Sequence, residues 1–81
     1  MNTEILEIDK AEHELTIQAL HEQADKLEKE KDETNNLIIK DITQNFILQI
    51  EKEIEYQEFH IQELDKSLNF EKNKVEKGGN E

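Results

Sequence analysis

From Met1 to Lys77 the chain contains neither proline nor glycine; its two glycines are Gly78 and Gly79. Sheets and loop-rich folds reverse direction on these residues, because glycine reaches positive φ and proline pre-sets a turn. A helix interior is damaged by both. So long an uninterrupted run leaves room for helices and little else, and the expected fold class is all-α.

What kind of helix follows from the spacing of apolar residues. Ile47, Ile50, Ile54, Gln57, Ile61, Leu64, Leu68, Glu71 and Val75 alternate three and four apart, with Gln57 and Glu71 as the only polar members. An ordinary amphipathic helix drifts off a strict seven-residue repeat, whereas this pattern keeps one seam facing a neighbour along its whole length. The N-terminal half is thinner. Leu6, His13, Ile17, Leu20, Ala24 and Leu27 make one stripe, alternating four and three apart from His13 onward. Ile5, Ile8, Leu15 and Ala19 make a second.

Between the halves lies Asp32-Glu33-Thr34-Asn35-Asn36. Asparagine pairs favour turns and caps, and here the Leu20/Leu27 stripe falls out of step with the later seam. This predicts helices near 3–31 and 37–76 joined by a turn at 32–36, a hairpin forming one unit over residues 1–77. The alternative is one continuous helix, because the Ile5/Ile8/Leu15 stripe stays in step through Glu22, Lys29, Asn36 and Thr43. That rod would be about 110 Å long. Asn2 or Thr3 is the expected first cap. Asp41 with Gln44 three residues on is a second possible start of the later helix. Lys72, Lys74 and Lys77 complement a helix C-terminus, Gly78-Gly79 is expected to stop it, and 78–81 reads as a flexible tail. In either form the expected architecture is a coiled-coil-like oligomeric bundle.

Oligomerisation is expected on size alone. A chain of 81 residues builds a marginal core, and such chains draw on disulfides, metals or partners. The absence of cysteine removes disulfides, thiolate zinc sites and thiol catalysis together. The expected interface is Leu37, Ile38, Ile39, Ile42, Phe46, Ile47, Ile50, Ile54, Ile61, Leu64 and Leu68. The stretch from Leu37 to Ile50 is apolar on more than one side, so more than one neighbour must cover it. A second copy, giving a homodimeric four-helix bundle, or another protein is the expected partner.

The formal charge of −11 disfavours direct binding to nucleic acid or to an anionic membrane, both of which recruit lysine and arginine. No apolar run approaches the roughly 20 residues of a membrane span, and Met1-Asn2-Thr3-Glu4 lacks the basic and apolar regions of a signal peptide. A cytoplasmic location is expected. The richness in Lys, Asn and Ile, with no arginine, suggests AT-rich coding DNA, as in a low-GC bacterium or its phage. Acids concentrate in residues 1–25, with seven against Lys10, and in 41–65, with seven against Lys52. Glu51, Glu53, Glu55 and Glu58 are the central members of an acidic surface suited to a basic partner, including mimicry of a phosphate backbone.

Catalytic chemistry finds little support. Asp9/His13 and His21/Asp25 are i,i+4 pairs, but the Glu-x-x-His pattern of di-iron bundles is absent. The one serine, Ser67, has no histidine or acid at a recognisable spacing, and no phosphate-cradling glycine loop occurs. No cofactor, metal or small-molecule substrate is expected. Gln62-Glu63-Leu64-Asp65 resembles the core of the Ser-Gln-Glu-Leu-Asp signature of small helical-hairpin aspartyl-phosphate phosphatases from spore-forming bacteria. Ile61 stands where that signature has serine, and the match covers four residues, so no activity is carried over. The expectation is a non-enzymatic interaction module, structural or regulatory. The alternative is a small acidic inhibitor of a nucleic-acid-binding protein.

Overall fold

A computed structural model describes the backbone of residues 3–80 and the side chains of residues 3–73. It is a helical hairpin, with α1 spanning Thr3–Glu33 and α2 spanning Leu37–Asn80. The long continuous helix does not form. The reason is local to residues 34–36. The Asn36 side-chain oxygen accepts the backbone N–H groups of Ile38 at 2.9 Å and Ile39 at 3.2 Å, satisfying donors that the first turn of α2 leaves open. Asn36 N–H itself donates to the Thr34 hydroxyl at 3.3 Å. α1 closes through the Thr34 N–H to the Glu30 carbonyl at 3.2 Å. Asn36, rather than Asp41, is therefore the cap of α2.

α1 has 31 residues and α2 has 44, so the arms are unequal and the last turns of α2 run past the start of α1. The whole measures 68 × 14 × 14 Å. That length is α2 itself at 1.5 Å per residue. α2 continues through Gly78 and Gly79 to Asn80, correcting the expected stop. A glycine ends a helix by taking a left-handed φ, and no glycine here has positive φ. Asn2 and Glu81, the other expected cap and the end of the expected tail, lie outside the described residues.

The two helices pack antiparallel along a single seam. On α1 it runs through Thr3, Leu6, Lys10, His13, Ile17, Leu20, Ala24, Leu27, Lys31 and Thr34, all half-buried. On α2 it runs through Lys40, Thr43, Ile47, Ile50, Ile54, Gln57, Ile61, Leu64, Leu68 and Glu71, each buried or half-buried. Both lists alternate three and four without a break, the spacing of a two-stranded coiled coil. Contacts from Lys10 to Asp65, His13 to Gln57 and Lys31 to Gln44 set the register. Thr43 turns into this seam while Leu15 faces out, so the turn ends the correspondence that would have made them one face.

The core is small. Among the described residues Ile47, Ile54 and Leu68 are the buried apolar side chains, joined by Thr43, and α1 contributes no fully buried residue.

Candidate functional site

In antiparallel packing, the positions beside each seam group into two lateral flanks, and this sequence gives them opposite chemistry. On one flank α1 places Glu7, Glu14, His21, Asp25 and Glu28, and α2 places Glu51, Glu55, Glu58 and Asp65. His21, Asp25, Glu28, Glu51, Glu55 and Glu58 line a shallow groove of ≈ 260 Å³ floored by Ala24, Ile47 and Ile54. Of the four acids expected to form an acidic surface, the fold brings together Glu51, Glu55 and Glu58. Glu53 is on the other flank, where it accepts a hydrogen bond from the Gln57 amide at 2.9 Å.

The opposite flank and the outer edges hold the exposed apolar residues. Ile5 on α1, and Ile39, Ile42, Phe46, Tyr56 and Phe70 on α2, occupy the flank. Ile8, Leu15, Ile38 and Phe59 sit at the edges. All are between 48% and 71% exposed. The lysines of outer positions, Lys26, Lys29, Lys52 and Lys66, lie on this flank and these edges too. Acids are densest on the first flank, and the second combines the wet hydrocarbon with Asp9, Glu12, Glu30, Glu33, Glu53 and Glu63. A helical pair that presents this much apolar surface carries the mark of an interaction face.

The expected interface residues divide accordingly. Ile47, Ile50, Ile54, Ile61, Leu64 and Leu68 lie in the hairpin's own seam, against α1. Leu37, Ile38, Ile39, Ile42 and Phe46 remain exposed, Leu37 at 79%. Sequence reasoning did not single out Tyr56, Phe59 and Phe70. Their signal was available: Ile42, Tyr56, Phe70 and, through Gln49 and Glu63, the positions between them recur at seven-residue intervals.

Several of the seam's polar residues are paired. Lys10 Nζ lies 2.7 Å from the Asp65 carboxylate across the seam and 3.9 Å from Glu14 on its own helix. The hydrogen bond to Asp65, then the charges of Asp65, Glu14 and Glu7, raise the lysine above its ordinary value of 10.5 against the opposing effect of desolvation. Lys31 donates to the Gln44 amide oxygen at 2.7 Å and pairs with Glu28 at 3.2 Å. The His13 ring bonds to the Gln57 amide oxygen, lies 3.5 Å from Asp9, and stacks on His60 with centroids 5.3 Å apart and planes 3° from parallel. Tyr56 meets the other side of His60 edge-on at 4.4 Å.

Among the described residues no three His, Asp or Glu side chains are placed to hold a metal ion. Among the same residues no helix is long and apolar enough to cross a membrane. Comparison with known proteins finds no matching family model, no similar curated protein and no similar solved structure.

Proposed function

We propose that the chain is a non-enzymatic protein–protein interaction module, structural or regulatory, that works by packing the apolar flank of its hairpin against further helices. One observation carries this reading: among the described residues the seam buries three large apolar side chains while twelve stay exposed, ten of them on one flank and its edges. Partners of this kind recognise an elongated helical face through a few aromatic and aliphatic anchors, with Phe46 and Ile42 the central ones.

The test is to substitute Ile42→Asp together with Phe46→Asp and to measure assembly mass by light scattering and helicity by circular dichroism. Both residues lie outside the seam, so the hairpin stays helical while association is lost. Unchanged mass and unchanged capture of partner by the double variant refute the reading.

A second reading, as an acidic inhibitor occupying a basic site on a nucleic-acid-binding protein, is favoured by the alignment of Glu51, Glu55 and Glu58 with Asp25 and Glu28 along one groove. Binding of that kind falls as salt rises. Replacing Glu51, Glu55 and Glu58 by lysine then weakens it and flattens its salt dependence. Binding that ignores both changes eliminates mimicry.

A further inference from the structure

We infer that the occupant of the apolar flank is a second copy of this chain, laid across it antiparallel to the first, so that two hairpins close into a four-helix bundle. The inference rests on the docking-flank reading above and adds its occupant and orientation. Three observations carry it.

The first is size. A face on a body 68 Å long and 14 Å wide offers about the 800 Å² per partner of a standard stable interface. A lone hairpin with so small a core gains most from covering that face with an equally elongated one.

The second is the spacing of the apolar groups. They fall in three places: Ile39, Ile42 and Phe46 beside the turn, Tyr56 at the middle, and Phe70 with Ile5 at the open end. By the register that pairs Lys10 with Asp65 and Lys31 with Gln44, Ala19 lies level with Tyr56. A two-fold axis through that level, perpendicular to the helices, brings Ile42 of one copy against Phe70 of the other. It also brings Tyr56 against its own equivalent, with the small Ala19 side chains allowing close approach.

The third observation bears on the orientation. On the flank, the open half carries Asp9, Glu12 and Glu63, while the turn half carries Lys26 beside Glu30 and Glu33, and Lys26 makes no ion pair among the described residues. A parallel arrangement, with its two-fold axis along the helices, lays α1 of each copy over α2 of the other and sets Glu12 against Glu63. The antiparallel one sets Lys26 of each copy against Glu12 and Asp9 of the other. Like charges across an interface disfavour the first arrangement, and opposite charges fix the second. The acidic flanks then face outward on both sides of the bundle.

The experiment uses the full chain and one label site. The protein has no cysteine, so Asn35→Cys in the turn, away from the flank, takes a single spin label. Sedimentation equilibrium should give a dimer, with the two labels about 50–60 Å apart from the helical rise. Ile42→Asp should raise the dimer dissociation constant more than about a hundredfold. Lys26→Glu should raise it about tenfold, and adding Glu12→Lys should restore it. A folded monomer at every concentration overturns self-pairing. It leaves the docking-flank reading to its own test, the failure of Ile42→Asp with Phe46→Asp to change capture of another protein. A dimer with labels closer than about 20 Å, or one indifferent to Lys26→Glu, overturns the antiparallel arrangement.

Discussion

The two halves of the seam are built to different ends. From the turn to Ile54, beyond a polar first layer of Lys31, Lys40 and Gln44, α2 offers Thr43, Ile47, Ile50 and Ile54 against Leu20, Ala24 and Leu27. From Gln57 to Asp65, the same seam and its margins carry Lys10, His13, Gln57, His60 and Asp65, joined by hydrogen bonds, an ion pair and a ring stack. Aliphatic layers hold two helices together but slide with little penalty, since one isoleucine serves a neighbouring hole almost as well as its own. Polar layers contribute less and tolerate one register only. The turn half is the richer in buried aliphatic contact, with Leu68 adding to it at the far end, and the open half carries most of the contacts that fix alignment, with Lys31–Gln44 adding to them beside the turn.

The hardest test of that division is charge in the aliphatic half. Ile47 is 1% exposed, and Ile47→Asp should abolish folding, seen as loss of the helical circular-dichroism signal. Ile54→Ala should leave a folded but weakened hairpin, about 2–5 kcal/mol less stable in urea titrations. The opposite sign is expected from the polar half. His13→Leu with Gln57→Leu should raise the melting midpoint, gaining on the order of 1–2 kcal/mol. It should also broaden the spin-label distances measured between α1 and α2, because the layer that fixes alignment is gone. A narrow distribution in that variant would break the comparison.

Smaller effects refine it. Asn36→Ala removes the acceptor for two backbone donors and should cost about 1 kcal/mol, without changing the register set elsewhere. Lys10→Met should cost less still, as the loss of an ion pair open to water does. Its pH dependence has a definite sign. The folded-state lysine is raised above 10.5, so its contribution is intact below 10.5 and lost as pH climbs through the raised folded value. In Lys10→Met that alkaline loss of stability should shrink. An unchanged alkaline limb would mean the Asp65 contact does not persist in solution.

Much of this organisation is legible in the residues alone. The seam of α2 follows from aliphatic periodicity, and the turn from the asparagine pair, whose side chains compete with the helical backbone for donors. The α1 seam is harder to read because Thr3, Lys10 and Lys31 occupy apolar-type positions. A hydropathy pattern breaks at each of them, although all three fit the seam and the two lysines find partners across it in Asp65 and Gln44. The acidic flank was only partly visible. Glu51, Glu53, Glu55 and Glu58 look alike in sequence, and only the side of α2 facing α1 separates Glu53 from the rest. The exposure of Tyr56, Phe59 and Phe70 has the same cause. A residue's distance from the seam is defined once the partner helix is in place.

Because a hairpin brings both its strand ends to one side, tension applied through the two chain ends peels α1 from α2 sequentially instead of shearing all layers at once. The first ties to part are the Leu6 and Leu68 layer at the open end, followed by the ion pair and ring contacts around Lys10 and His13. The aliphatic block beside the turn parts last. Such a molecule yields gently at low load, stiffens as the opening advances, and retains at its hinge the block from which it can zip closed again.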